Sequence, residues 1–461
     1  MKKSYDVIII GAGPAGIFAA LELIRNPALK ILMVEKGRDI DKRSCPMETA
    51  DIPCVECSRC DLLCGWGGAG AYSDGKLTLN PNVGGFLTDY LPEKEVAALV
   101  EYVDLIYRAR GAGEEVYGTD EKAVAALQKK AAGHNLELVP SRIRHIGTDQ
   151  CRKVLRNLRK ELNGKVDCIF DIPVERIVAK NGKVSGIVLQ GEEFIESRHL
   201  IVATGREGSS WMAAEAAQLG LSINHNPVDI GVRVELPAAV MEPITDITYE
   251  AKYLYTSKKF GDRVRTFCMN PHGEVVNEYA GGIFTVNGHS NRERKTGNTN
   301  FSLLVSTAFT KPFDDPISYG KYIASLANLL GDGVLVQRLG DLKKGRRSTI
   351  ERINEGTVTP TLTDATPGDL SFVLPYRHLS NIMEMLEALD HVAPGVNSDD
   401  TLLYGVEVKF YSVQPRLTNG LETEVGNLFA VGDGAGVSRG LIQASISGMV
   451  AAREILKREE E

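Results

Sequence analysis

What the chain does not contain narrows what it can be. Its 461 residues include no uninterrupted apolar run of membrane-spanning length. The longest uncharged stretch near the start, residues 7–21, is broken by Gly11, Gly13, Pro14 and Gly16 and stops at Glu22. It follows Met1-Lys2-Lys3 and so imitates a secretory signal, but Asp6 and the glycine spacing argue for a strand, a turn and a helix. With no targeting tail, the expected location is the cytoplasm. There is no cationic excess: 53 Lys and Arg stand against 60 Asp and Glu, a formal net charge of −7. Neither nucleic acid nor an acidic membrane surface is therefore an expected partner. There is no HExxH pattern and no Ser/His/Asp set, which leaves hydrolase readings without support. Internal repeats and low-complexity linkers are absent too.

The length predicts two or three domains, and 46 glycines suit many tight turns near a ligand. The most informative stretch comes first. The apolar run Val7-Ile8-Ile9-Ile10 enters Gly11-Ala12-Gly13-Pro14-Ala15-Gly16, a G-x-G-x-x-G turn that opens a helix. Gly11 permits the tight turn, Gly13 lets the backbone approach a pyrophosphate, and Gly16 lets helix and strand pack closely. Glu35, with Lys36 after it, ends the next apolar run, where a carboxylate can accept ribose hydroxyls. A second glycine cluster spans Gly67, Gly68, Ala69, Gly70, Ser73, Asp74 and Lys76. Its backbone amides can crowd a planar ring or a phosphate. Lys76 is a candidate to stabilise an anionic reduced ring; the plainer reading is a solvated turn residue.

Periodicity predicts strands at 5–10 and 30–35 and helices at 14–25, 93–110, 121–132 and 149–162. A strand-rich meander follows: 168–172, 174–179, 184–189, 194–197 and 199–203. Beyond residue 226, strand-like segments at 230–236, 249–254 and 264–269 alternate with polar turns. Helices are expected at 319–330, 379–389 and 441–457, strands at 405–411 and 428–431, and turn-rich loops at 287–300 and 343–348.

Two later strand ends, Ala203-Thr204-Gly205 and Val431-Gly432-Asp433, recur where two-dinucleotide-binding-domain flavoproteins of the glutathione-reductase-like superfamily carry FAD contacts. The chain resembles that superfamily. Gly67 to Lys76, the segment 405–410 and the stretch from Gly432 make it similar to a family of uncharacterised FAD-dependent dehydrogenases within it. The resemblance implies a Rossmann-type α/β FAD-binding domain with a parallel sheet and an inserted mixed α+β cap. Asp433 and the helix after Gly440 would approach the flavin and pyrophosphate, and the backbone of Val174 the adenine. The implied division is 1–92, with a cysteine-rich loop at 39–66, then a helical insertion at 93–148 and the second FAD part at 149–225. A cap at 226–400 and a third FAD part at 401–461 complete it. No second dinucleotide fingerprint follows, so NAD(P)H would bind only transiently.

Five cysteines, Cys45, Cys54, Cys57, Cys60 and Cys64, precede the second glycine cluster. Cys54-x2-Cys57-x2-Cys60-x3-Cys64 has the spacing of a ferredoxin run. A [4Fe–4S] cluster with Cys45 or Cys64 as fourth ligand is one expectation; zinc, redox thiols and no metal are the others. A cluster there could receive electrons from a ferredoxin-like donor. His289 is read as lying in a turn, as an acid or base over the flavin or a surface or packing residue. Lys409, in a strand, is a further candidate near the flavin. Arg346 and Arg347 could clamp an anionic substrate group or sit in a solvated loop. The expected activity is hydride transfer between FAD and a C–C or C–N bond of a small molecule. The alternatives are RNA-base modification, for which the basic loop at 343–347 is the only support, or electron transfer.

Overall fold

The structure, a computed structural model, describes residues 3–46, 55, 57–224, 226–280, 282–290, 295–307, 309, 315–331, 333–410 and 412–460. Cys54 lies outside them. The chain forms two compact units, one of residues 1–115, 144–226 and 411–461, the other of 116–143 and 227–410.

The first unit is built on a seven-stranded sheet. Strand Ser4–Ile10 lies between Ile31–Val34 and Phe194–Val202, parallel to both, and Asp167–Ile169 extends the parallel set. Such central strands are covered on both faces, which is why they read as continuous apolar runs: Val7, Ile8 and Ile9 are fully buried, as are Leu32 and Ile201. Antiparallel strands Lys183–Leu189 and Val174–Lys180 complete the other side. The sequence pattern divides 194–203 into two strands, yet Phe194–Val202 is one. Its first half pairs with 186–188 and its second with Leu428–Ala430, so its two halves have different neighbours and different apolar patterns. Helix Pro14–Leu23 packs against the closing helix Leu441–Glu460. The contact is close: a Cβ at Gly448 would lie 1.9 Å from the carbonyl oxygen of Ala15. The fold is thus the Rossmann-type α/β domain that the motifs foretell, accompanied by a second domain.

The second unit is organised on an eight-stranded sheet. Its central strands, Leu402–Lys409, Val228–Pro237, Asn298–Thr307 and Arg263–Asn270, are antiparallel neighbours. One face carries Ile230, Val232, Val234, Leu303 and Val305, all buried in the apolar core with helices Pro316–Gly331 and Tyr376–Asp390. Helix Ala238–Thr248, with Pro243 inside it, was not visible as a helical pattern, and the strand expected at 249–254 instead runs Lys252–Thr256. The expected loop at 287–300 is bounded by strand on both sides, Ile283–His289 and Asn298–Thr307.

Candidate functional site

In the first unit, four glycine-bearing segments converge on two helix N-termini. Gly11 adopts φ +104°, and a Cβ there would lie 2.3 Å from the carbonyl oxygen of Ala203. At Gly16 it would lie 2.0 Å from the carbonyl oxygen of Gly11, so larger residues would push the helix off the strand. Gly13 differs: nothing stands within 4 Å of the added atom. That opening faces the start of helix Pro14–Leu23, whose first turn has no side-chain cap. Its backbone N–H groups are free to meet an anion.

The second glycine cluster sits against the first. Gly67 N donates to Ala12 O at 2.7 Å, and a Cβ at Gly68 would lie 3.2 Å from Gly13 Cα. At Gly70 it would lie 3.0 Å from Leu441 Cδ2 and 3.6 Å from Pro14 Cγ. From the C-terminal side, Gly432 approaches Ala15, and a Cβ at Gly434 would lie 2.5 Å from the Gly205 carbonyl oxygen. Sequence reasoning missed the segment that closes this arrangement. Arg439 N donates to Gly84 O at 2.8 Å and Phe86 N to Val437 O at 2.9 Å, laying 84–86 along 437–439 beside Gly440. The adjacent Gly84-Gly85 pair was the available signal.

Glu35 is more committed than the ribose-binding expectation supposes. Its carboxylate accepts from Ala12 N at 2.8 Å, Gly37 N at 2.8 Å and Gly65 N at 3.0 Å. Three of about four acceptor positions are thereby filled, tying the first glycine turn to the second. Lys36 reaches Glu207 at 3.3 Å on the surface. Val174 is buried as the first residue of its strand. Thr204 Oγ1 is buried and has no hydrogen-bond partner among the described residues. Asp433 accepts from Ser438 Oγ at 2.6 Å; burial raises its pKa, opposed by Arg206, the Ser438 hydroxyl and Arg439. The open space at Gly13 and Gly205, the uncapped helix start and the unpartnered Thr204 hydroxyl fit a dinucleotide.

Lys76 is not a solvated turn residue. Its Nζ lies 2.9 Å from Asp74 Oδ2, and both side chains are largely buried. Ser73 Oγ donates to Gly70 O at 3.1 Å and accepts from Gly75 N at 3.2 Å, which fixes the turn before Asp74.

Residues 61–68, at the end of the cysteine-rich loop, are held by Arg43. Its buried guanidinium donates to the carbonyl oxygens of Asp61, Leu62, Trp66 and Gly68 at 2.6–3.1 Å. Charge-assisted bonds of this kind contribute about 1.5–3 kcal/mol each. Cys64 is buried, and burial, with smaller contributions from Glu207 and Glu35, pushes its thiol up to about 12. Cys45 and Cys60 are half-buried and Cys57 is exposed. Among the described residues no three His, Cys, Asp or Glu side chains are grouped to hold a metal ion.

The remaining candidates lie in the second unit. His289 was read in a turn; it is the last residue of strand Ile283–His289, paired with Glu274, because the hairpin ladder runs to its end. Lys409 Nζ lies 2.9 Å from Glu407, which is fully buried and also receives Arg233 Nε at 2.9 Å. Arg233, fully buried as well, further donates to Asn300 Oδ1, Ser302 Oγ and Cys268 O. Glu235, on the same strand, accepts from Tyr404 Oη at 2.6 Å, Thr361 Oγ1 at 2.5 Å and Asn298 Nδ2 at 3.0 Å. None of Arg233, Glu235 and Glu407 had been singled out. In the basic loop, Arg346 pairs with Asp341 at 2.7 Å and Lys344 with Asp399 at 3.4 Å. These cations answer neighbouring carboxylates, an arrangement that does not favour the RNA reading.

Comparison with known proteins agrees with the motifs. A family model described as an FAD binding domain matches residues 6–43, and one described as the C-terminal domain-like part of FAD-dependent proteins matches residues 227–410. An uncharacterized protein of Clostridium beijerinckii is 29% identical, over 98% of this chain and 80% of that protein. Among solved structures, L-proline dehydrogenase from P. horikoshii is similar with a TM-score of 0.44 and 11% identity, over 99% of this chain and 95% of that one. A geranylgeranyl bacteriochlorophyll reductase-like protein from Thermoplasma acidophilum has a TM-score of 0.43 and 14% identity, over 99% and 79% of the two chains. No helix among the described residues is long and apolar enough to cross a membrane. The two family models name the same cofactor from separate stretches of sequence, and the chain is an FAD-dependent oxidoreductase.

Proposed function

We propose that the chain moves a hydride between FAD and a C–C or C–N bond of a small molecule. The observation that carries the proposal is the convergence of Gly11–Gly16, Gly67–Gly70, Thr204–Gly205 and Gly432–Gly434 on two helix N-termini. FAD supplies the two-electron chemistry. Gly13 and Gly205 leave space for its phosphates, the first turn of helix Pro14–Leu23 offers them N–H groups, and Thr204 Oγ1 offers a further hydrogen bond. Lys76, held by Asp74, brings a positive charge beside the second glycine turn.

A single dinucleotide fingerprint supports an electron supply by transient NAD(P)H or a ferredoxin-like partner. The cysteine run contributes through its spacing, Cys54-x2-Cys57-x2-Cys60, which suits a [4Fe–4S] cluster or zinc. As fourth thiolate, half-buried Cys45 suits either better than Cys64, whose thiol is sealed beside Glu35.

Purification followed by visible spectroscopy tests the reading. Flavin bands corresponding to about one FAD per chain are expected. Lys76→Met should retain FAD and lower the reduction potential of the bound flavin, since an anionic reduced ring loses its cation. A colourless protein that takes up no FAD on reconstitution overturns the proposal.

A further inference from the structure

Arg43 is a buried cation to which the oxidoreductase reading gives no part. A guanidinium has five N–H donors, and each of these five meets a main-chain carbonyl oxygen. Nε and Nη2 bond Asp61 O at 2.9 and 2.7 Å, and Nη2 also bonds Leu62 O at 3.1 Å. Nη1 bonds Trp66 O at 2.6 Å and Gly68 O at 2.9 Å. Glu35 and Asp61 lie near enough to favour the charge, yet none of the five bonds goes to a carboxylate. The fit leaves no slack. Gly65 adopts φ +109°, and a Cβ there would lie 2.7 Å from Arg43 Cδ. The guanidinium also lies over the Tyr72 ring, 5.0 Å from its centroid, and Arg152 Nη2 donates to Arg43 O at 3.1 Å.

Two of the four carbonyls flank or belong to the second glycine turn. In a trans peptide the C=O and the following N–H point opposite ways. Turning Trp66 O to Arg43 therefore turns Gly67 N–H away from it, and that N–H meets Ala12 O at 2.7 Å. The same rule at Gly68 O turns Ala69 N–H away from the guanidinium. A Cβ at Gly68 would lie 3.2 Å from Gly13 Cα, so this turn borders the opening at Gly13. The other two carbonyls, of Asp61 and Leu62, belong to the turn in which Leu63 N and Cys64 N bond Cys60 O at 3.1 and 2.9 Å. Next in the chain, Gly65 N reaches Glu35, which also accepts from Ala12 N. The cysteine-bearing turn and the glycine turn thus share one cation and one carboxylate.

We propose that Arg43 is a positioning residue for FAD: it holds the second glycine turn in its cofactor-binding shape, so that closure of residues 61–68 and FAD binding are one coupled step. The proposal rests on the FAD reading of the first unit. A ligand that meets residues 67–70 only in their closed form also holds residues 61–66 closed, because the same guanidinium binds both.

Hydrogen exchange followed by mass spectrometry, on the FAD-loaded chain and on the chain stripped of FAD, is the test. The amides of residues 63–66 bond Cys60 O, Glu35 and Arg38 O, so they report closure of the cysteine-bearing turn. With FAD about a hundredfold above its dissociation constant, they should exchange about tenfold or more slowly. Arg43→Met should bind FAD about tenfold more weakly, and saturating FAD should no longer slow these amides. Arg43→Lys, with three donors for four carbonyls, should recover only part of both effects. An arginine that merely supports the fold would lower thermal stability and leave the FAD-induced protection in place; that outcome in Arg43→Met overturns the proposal. Should Arg43→Met not fold, Arg43→Lys decides, and full parental affinity and protection there overturn the role given to the five-donor fork. The parent needs no substitution: if it binds FAD and residues 63–66 exchange as before, the coupling alone is overturned. A parent that takes up no FAD overturns the FAD reading and the coupling with it.

Discussion

The first unit makes its polar site from backbone, whereas the second makes its polar interior from side chains. Around Gly11–Gly16 the important feature is space without atoms: the opening at Gly13, the contact at Gly16 too close for any side chain, and peptide N–H groups at a helix start. Glu35, the charge that ties the first glycine turn to the second, is answered by three backbone amides. In the second unit, Asp229, Arg233 and Glu235 lie along one strand: Asp229 pairs with Arg265, Arg233 bonds Glu407, Asn300 and Ser302, and Glu235 accepts from Asn298, Thr361 and Tyr404. Here charge answers charge in the interior, and each member depends on its partner. A backbone-built site tolerates change in side chains but not in Cβ count. A side-chain-built network has the opposite tolerance.

The comparison is sharpest at Arg233. Arg233→Met leaves Glu407 buried with Lys409 as its remaining ionic partner, and breaking such a pair costs about 3–5 kcal/mol. Both tryptophans, Trp66 and Trp211, lie in the first unit, so fluorescence reports that unit alone while circular dichroism reports both. The variant should lower the dichroism transition and leave the tryptophan transition in place. Equal shifts in both signals would show that the two kinds of construction are not energetically separate.

A pH effect of nearly the same size belongs to the second unit. His378 is buried, and burial lowers its pKa to about 4 while Nε2 is held by Thr307. In the unfolded chain the ring takes a proton near pH 6.5. Above that pH it is neutral in both states and stability is unaffected. Between about 6.5 and 4 the unfolded state binds a proton that the folded state refuses, so stability falls as pH falls, by about 3 kcal/mol in all. His378→Gln should flatten this part of the dichroism-monitored profile. A variant with the parent's full pH slope would assign the effect to other groups.

The same contrast explains what was legible in the sequence. Gly11, Gly13, Gly16, Thr204-Gly205 and Gly432-Asp433 stand at fixed distances after apolar strands, because a backbone cradle requires particular residues at particular steps. The second glycine cluster was readable for the same reason. The network around Arg233 was not. Strand Val228–Pro237 alternates charged and apolar residues, which is the pattern of a strand with one wet face, yet nine of its ten residues are buried. Alternation identifies two faces and cannot say that both are covered. The role of Arg43 was hidden too, since a lone arginine in a polar loop carries no local mark of the four carbonyls it will gather.

The smallest expected stability effect gives the finest test of backbone construction. Gly11→Ala places its Cβ 2.3 Å from the Ala203 carbonyl oxygen at a φ of +104°, so strain of about 1–3 kcal/mol should lower the tryptophan transition and reduce FAD content together. Gly13→Ala meets nothing within 4 Å and lies at an ordinary φ of −77°, so the apoprotein should unfold within about 0.5 kcal/mol of the parent. Its methyl group nevertheless enters the space through which the pyrophosphate would approach the helix. FAD affinity, measured by fluorescence on reconstitution, should fall about tenfold or more, since loss of one charge-assisted contact at a helix start is worth about 1.4 kcal/mol or more. If Gly13→Ala bound FAD as the parent does, the opening would be incidental and the cofactor would have to be held by side chains, as the interior of the second unit is.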